Sequence, residues 1–123
     1  MNRPRRTWCG KFADSFRGLA LAVRTHSSYW AHLPVAGLAV AAGVWFGLEP
    51  AEWALVALAI GGVLAGETFN TAIEELARAV GTYPDDGIRR ALDVASAGVL
   101  VTVATAVAVG LAVFGPRLVA LVW

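Results

Sequence analysis

Two carboxylates and an amide stand close together in the segment GETFNTAIEELARAV, residues 66–80. On an α-helix, Glu67, Asn70 and Glu74 fall within about 60° of one another and share a face. Oxygen ligands of this kind bind a divalent cation, and a carboxylate can also take a proton from a hydroxyl group. The set therefore predicts a hydrated pocket for acid–base or metal chemistry. The alternative is that water and Arg78 satisfy these side chains in a lipid headgroup zone.

A second candidate is Asp93, which lies at the start of the apolar run DVASAGVLVTVATAVAVGLAVF. The small residues around Ser96 would let a ligand or another helix come close. An acid in the first turn of a helix is also common for purely structural reasons, because it complements the helix dipole. Asp93 is therefore open to both interpretations.

The elements that must position these residues are membrane helices. Of the 123 residues, 58% are apolar and the mean hydropathy is +0.63, which is too apolar for an ordinary soluble domain of this size. Three segments are long enough to cross the hydrocarbon as helices: about 30–48, 53–80 and 91–114. The last is expected to end before Pro116, because proline breaks a helix. The sequence thus predicts an all-α fold and one integral membrane domain over residues 1–123.

The segment before the first span is basic and amphipathic. Phe12, Phe16, Leu19 and Val23 follow one another at helical spacing, with charged residues between them. This pattern predicts a surface helix over about 8–26 that lies in the membrane interface. Packing of its apolar stripe against the bundle is the alternative, and both can hold at once.

The charges of the connecting segments predict an orientation. Basic residues lie in the N-terminal arm and around the second link: Arg3, Arg5, Arg6, Lys11, Arg17, Arg24, Arg78, Arg89 and Arg90. The first link carries only Glu49 and Glu52. By the positive-inside rule, the N-terminus and the second link are expected in the cytoplasm and the C-terminus outside.

Soluble nucleotide-binding folds are excluded by the motifs that the sequence lacks. It has no GxxxxGK phosphate loop, no GxGxxG after a strand and no cluster of histidines and cysteines.

Four segments resemble the prokaryotic diacylglycerol kinase and undecaprenol kinase family. ETFNTAIE matches the family's E-x-x-N-[ST]-A-I-E motif, and RRALDVASAGVL resembles its later K-D-x-x-(small)-A-V-L motif. DSFRGLALAVRT is similar to the family's surface helix, and AEWALVALAI to the start of its second span. The resemblance covers essentially the whole chain, and the family's three spans and cytoplasmic N-terminus agree with the hydropathy and the charges.

The resemblance implies a small membrane lipid kinase. It would work as a homotrimer, with composite active sites between neighbouring subunits at the cytoplasmic interface. It would transfer the γ-phosphoryl group of ATP, with Mg²⁺, directly to a membrane alcohol, either diacylglycerol or undecaprenol. Most of the catalysis of such a transfer consists of positioning and of neutralising charge on the transferring group.

Roles for individual residues also follow from the resemblance. Glu67 corresponds to the general base, and Glu74 to a carboxylate ligand of Mg²⁺. Asn70 and Asp93 correspond to residues that order the nucleotide. The matched surface helix and the second and third spans imply further contacts, a nucleotide contact for Arg17 and lipid contacts for Ser15, Ser96 and Arg78.

Three positions depart from the family's pattern. A metal-binding carboxylate of the family is replaced by His26, and an acid that follows Glu74 by four residues is replaced by Arg78. The lysine that precedes Asp93 in the family is Leu92. His26 is still expected to share the metal site with Glu74, although a neutral imidazole suits Mg²⁺ poorly.

Arginines are candidates to replace the missing lysine. Arg89 and Arg90 lie within one turn of Leu92, and Arg78 lies on the facing helix. A guanidinium group binds phosphate oxygens through two parallel hydrogen bonds. We therefore expect these arginines to contact the nucleotide.

The sequence as a whole predicts a lipid kinase in a bacterial cytoplasmic membrane. Its partners would be ATP, a lipid alcohol and further copies of the chain, and not nucleic acid. A catalytically silent membrane trimer, acting as an adaptor or a lipid-binding regulator, would instead explain the three departures. A small proton-coupled carrier would explain the embedded carboxylates, but the outer halves of the spans carry no ionisable residue to continue a proton path.

Overall fold

Four α-helices make up the part of the chain that the structure describes. The structure is a computed structural model, and it describes residues 7–81 and 85–123. The helices are α1 (Trp8–Thr25), α2 (Ser28–Phe46), α3 (Pro50–Val80) and α4 (Asp86–Val122). Three of them, α2, α3 and α4, are long and apolar enough to cross a membrane. The predicted all-α fold with three membrane helices after an amphipathic one is confirmed; the basic residues Arg3, Arg5 and Arg6 lie outside the described residues.

Helix α1 presents its apolar residues to the outside. The hydroxyl of Thr7 accepts a hydrogen bond from the backbone N–H of Gly10 and caps the first turn. Phe12 and Phe16 are exposed, whereas Ala22 near the C-terminal end is buried. Helix α1 touches α3 only lightly. Most of its apolar stripe therefore remains free to contact lipid or another copy.

A tight turn joins α2 to α3. Gly47 has a φ of +66°, which favours glycine, and the N–H of Leu48 donates a hydrogen bond to the carbonyl of Gly43. Glu49 and Glu52 then form a reciprocal capping box at the start of α3. Gly43 lies against Trp53, and a Cβ atom on it would come within 2.6 Å of the indole ring. The turn thus brings α2 back against α3 with no room for a larger side chain.

Helices α3 and α4 form the most extensive contact of the bundle. Gly66 allows their close approach, because a Cβ atom there would lie 2.9 Å from the hydroxyl of Thr102. Leu48, Val56 and Val113 make a small buried cluster toward the other end. This pair of helices is the rigid support for the polar residues of α3.

The observed helix ends differ from the predicted ones, most of all in α4. The predicted break before Pro116 is wrong, since α4 begins at Asp86 and continues through the proline to Val122. Arg117 supplies the physical reason: its guanidinium donates to the carbonyl of Val113 at 2.6 Å and also pairs with Glu52 of α3. These contacts hold the last turns helical despite the N–H that proline removes.

Candidate active site

Glu67 is a buried carboxylate held by two side chains of α2. The residue is only 3% exposed. Ser28 donates its hydroxyl hydrogen to one carboxylate oxygen at 2.9 Å, and Nε2 of His32 lies 2.8 Å from the other. Ser28 and His32 are four residues apart and so lie on the same face of α2. An acid that would be costly in a membrane helix is therefore paired on both of its oxygens.

Tyr29 fixes α2 to α3 beside this carboxylate. It is 1% exposed, and its hydroxyl lies 2.5 Å from that of Thr68. The hydroxyl of Thr68 in turn donates to the carbonyl of Leu64 at 2.7 Å. These contacts set the rotation of α2 at the level of Glu67, so that Ser28 and His32 point at the carboxylate.

Thr71 is a further buried polar residue on the same face of α3. It is 6% exposed, and within the described part of the chain its hydroxyl has no hydrogen-bond partner. It follows Glu67 by one helical turn. A buried hydroxyl without a partner costs free energy, so a polar group from outside the chain would be stabilised here.

Asn70 and Glu74 meet one turn further along α3. The amide of Asn70 donates to Oε1 of Glu74 at 2.7 Å. Nδ1 of His26, between α1 and α2, lies 3.4 Å from Oε2 of the same carboxylate, whose side chain is 38% exposed. The structure thus brings His26, Asn70 and Glu74 together at a partly open position.

Arg78 lies at the edge of this group and pairs mainly with Glu75. Its Nη2 atom is 2.9 Å from Oε1 of Glu75 and 3.9 Å from Oε2 of Glu74. Nε2 of His26 is 3.5 Å from Glu75. Glu75 was not among the predicted site residues, because helical spacing places it off the face of Glu67. In the structure, Arg78 and His26 both lie close to Glu75, which therefore belongs to this cluster of charged side chains.

The donor set fits a magnesium ion that is completed by a substrate. Mg²⁺ is usually held by one or two carboxylates together with water and substrate phosphates. The partly open carboxylate of Glu74 and the amide oxygen of Asn70 are donors of the right type, whereas the imidazole of His26 suits Zn²⁺ better. Within residues 7–81 and 85–123, no group of three or more His, Cys, Asp or Glu side chains could hold a metal ion by itself.

The candidate residues of α4 lie apart from this cluster. Asp93 and Ser96 are exposed, and neither has a hydrogen bond or ion pair among the described residues. Thr102 faces α3 beside Gly66, and Asp93, nine residues earlier, lies about 180° around the helix from it. One chain therefore does not bring Asp93 to Glu67.

The remaining candidates are exposed, and three of them pair with residues of their own helix. Ser15 donates to the carbonyl of Lys11 at 2.9 Å, and Arg17 pairs with Asp14 at 3.2 Å. Arg89 pairs with Asp86 at 3.3 Å. Arg90 is exposed near the start of α4. None of these four joins the Glu67 or the Glu74 cluster in the described part of the chain.

An apolar groove begins beside Glu67. It has a volume of about 530 Å³ and runs between α2, α3 and α4 from His32 to Leu118. Its walls include Ala39, Ile60 and Val107, and His32 is the one ionisable side chain among the described residues that line it. One end of this apolar groove therefore lies at the polar pair formed by His32 and Glu67.

The functional contacts that sequence reasoning missed are those of Ser28 and His32. A signal was present: both are polar, they are four residues apart, and they lie at the start of an apolar span. A buried acid needs partners of this kind. The sequence pattern does not show which helix Ser28 and His32 face. The packing of α2 on α3 shows that they face α3.

Comparison with known proteins supports a kinase. The family model for prokaryotic diacylglycerol kinase matches residues 13–114. The chain is similar to the undecaprenol kinase of Bacillus subtilis (strain 168), with 29% identity over 107 residues that cover 87% of each chain. No solved structure matches. The family match covers most of α1 and α4, all of α2 and α3, and the carboxylate cluster, and the chain therefore belongs to the prokaryotic diacylglycerol kinase family of integral membrane lipid kinases.

Proposed function

We propose that the chain transfers the γ-phosphoryl group of ATP, with Mg²⁺, directly to the hydroxyl of a membrane lipid. The observation that carries the proposal is Glu67, a buried carboxylate paired with Ser28 and His32 at the end of a membrane helix. This carboxylate and the imidazole beside it can together supply the basicity that a hydroxyl nucleophile needs. The proposed acceptor is undecaprenol or diacylglycerol, the alcohols named by the similar kinase and by the family.

Binding of the donor is assigned to the second cluster. Glu74 and Asn70 would hold the metal ion, with His26 beside them at 3.4 Å from Glu74. When bound, Mg²⁺ would neutralise charge on the phosphate oxygens. Arg78, which is 60% exposed beside these residues, is placed to bind phosphate in place of the lysine that Leu92 replaces.

Completion of each site is assigned to a neighbouring copy in a homotrimer. Asp93 faces away from α3, so it can reach the Glu67 cluster of another subunit but not of its own. Ser15, Arg17 and Ser96 are exposed and free to line such an interface, together with Arg89 and Arg90. The proposed sites lie at the cytoplasmic face of the bacterial inner membrane, with the N-terminus in the cytoplasm and the whole chain forming one domain.

The test is transfer of labelled γ-phosphate in detergent micelles that contain undecaprenol or diacylglycerol. Wild-type protein is expected to label one lipid, and Glu67→Gln to lose transfer. Glu49→Gln is the matched control, because Glu49 caps α3 about 27 Å along the helix from Glu67. Absence of product with both lipids, from folded and oligomeric protein, would refute the proposed donor and acceptors. Equal losses in both variants would refute the role of Glu67.

A further inference from the structure

His32 and Glu67 form a pair in which the carboxylate is the more deeply buried partner. The side chain of Glu67 is 5% exposed and that of His32 is 25% exposed. Both carboxylate oxygens already hold hydrogen bonds, one from Ser28 and one with His32. His32 lines the apolar groove, whereas Glu67 does not. A hydroxyl group that approaches from the groove therefore meets the imidazole first.

The carboxylate also determines which nitrogen of His32 is basic. When Glu67 is ionised, its carboxylate only accepts hydrogen bonds, and Nε2 of His32 is then the donor of the hydrogen bond that joins them. The lone pair of a neutral imidazole is then on Nδ1. Within the described residues, Nδ1 of His32 has no hydrogen-bond partner. This nitrogen is free to accept a proton.

We propose that His32 is the group that takes the proton from the acceptor hydroxyl and that Glu67 acts through it. The proposal rests on the lipid kinase function proposed above. The lipid O–H proton passes to Nδ1 of His32 while the oxygen forms a bond to the γ-phosphorus of ATP. The bond between that phosphorus and the β,γ-bridging oxygen breaks, and ADP leaves with the electron pair. Glu67 stabilises the imidazolium, which afterwards releases its proton to water.

The position of His32 suits a lipid acceptor. It lies in the second turn of α2, about 6 Å along the helix from Ser28, where a membrane helix leaves the headgroup region. The apolar walls of the groove extend from His32 toward the opposite end of the bundle. A hydroxyl held at His32 therefore has apolar volume beside it for the hydrocarbon to which it is attached.

The experiment compares wild-type protein with His32→Gln, His32→Ala and Glu67→Gln in the labelled-phosphate assay. Glutamine keeps an N–H donor for Glu67 but accepts no proton at neutral pH. His32→Gln is therefore expected to lose about 10²- to 10⁴-fold in kcat, the usual contribution of a general base. ATP binding, measured by equilibrium dialysis in the same micelles, is expected to stay close to that of the wild type, which also shows that the variants are folded.

Added imidazole provides the second readout. It is expected to accelerate His32→Ala, more so with more basic imidazole derivatives, and to leave Glu67→Gln unchanged because that variant still contains His32. A wild-type rate in His32→Gln would show that His32 is only a hydrogen-bond donor and would overturn the proposal. Failure of imidazole to accelerate a His32→Ala protein that binds ATP would overturn it as well.

Failure of this proposal is distinguishable from failure of the proposed function. If wild-type protein labels neither lipid, the lipid kinase reaction with ATP is wrong and the role of His32 falls with it. If wild-type protein labels a lipid and His32→Gln does so equally well, the kinase function stands and only the role of His32 is refuted.

Discussion

Arg117 of α4 donates to both carboxylate oxygens of Glu52 of α3, at 2.8 and 2.7 Å. The pair lies about 22 Å along α3 from Glu67, at the opposite end of the bundle. Bidentate contacts between arginine and carboxylate are specific in geometry and stronger than neutral hydrogen bonds. The helices that position the candidate active site are therefore also joined at their far end.

Reversal of either charge of this pair is expected to lower the stability of the bundle. Glu52→Arg and Arg117→Glu should each lower the denaturant midpoint in detergent micelles, because each places two like charges together. The double exchange should recover much of the loss. Asp86→Arg is the control, since Asp86 forms only an exposed pair with Arg89 and its reversal should have a smaller effect. If the double exchange were no better than the single variants, the pair would not join the helices.

Removal of the Tyr29 hydroxyl is expected to destabilise the contact between α2 and α3. Tyr29→Phe should lower the free energy of unfolding by about 0.5–1.5 kcal/mol, because the half-buried hydroxyl of Thr68 loses a partner. Trp30→Phe is the matched control on the same helix, since Trp30 is 72% exposed. Equal unfolding curves for Tyr29→Phe and wild-type protein would contradict this role.

A methyl group at Gly43 is expected to disturb the turn between α2 and α3. Gly43→Ala should cost about 1–3 kcal/mol, because its Cβ atom would meet the ring of Trp53 at 2.6 Å. Gly37→Ala lies on the same helix with open space around the added carbon and should be tolerated. Thermal unfolding followed by circular dichroism compares the two variants. A more stable Gly43→Ala protein would show that Trp53 moves aside without cost.

His26 is expected to weaken magnesium binding relative to a carboxylate at the same position. His26→Glu should lower the Mg²⁺ concentration for half-maximal transfer by about tenfold, which is the size of effect known for residues beside a metal ligand. The wild-type protein should also accept Mn²⁺, because Mn²⁺ takes the same oxygen ligands as Mg²⁺. Direct binding of Mn²⁺, measured by electron paramagnetic resonance, separates affinity from activity. Unchanged metal requirements in His26→Glu would place the metal elsewhere.

Mixed oligomers test whether Asp93 of one subunit completes the site of its neighbour. Glu67→Gln and Asp93→Asn proteins should each be inactive alone and should regain activity when their subunits are mixed. In an equal random mixture, about a quarter of the interfaces would combine an intact Glu67 with an intact Asp93. Lipid phosphorylation measured before and after subunit exchange shows the gain. No gain from oligomers shown to be mixed would place both residues in the site of one subunit.

Much of the helical framework follows from the sequence, because membrane spans depend on local composition. The predicted spans correspond to α2, α3 and α4, and the spacing of Glu67 and Glu74 places them on one face. The approach of His26 to Glu74 agrees with the family resemblance. The roles proposed for these residues remain predictions.

The rest depends on contacts between distant parts of the chain. The partners of Glu67 lie 39 and 35 residues before it, so helical spacing within α3 says nothing about them. The continuation of α4 through Pro116 depends on Arg117 reaching Glu52 across 65 residues of sequence. Local propensity predicts a break at that proline, and the tertiary ion pair outweighs it.

Two residues, His26 and Ser27, separate the end of α1 from the start of α2. Ser28, the first residue of α2, already holds Glu67. We therefore expect a tilt or a change of depth of the aromatic face of α1 to affect the hydrogen bonds of the buried carboxylate. We therefore expect the lateral pressure and curvature of the surrounding leaflet to change the rate of the proposed reaction, so that the membrane would regulate this protein as well as solvate it.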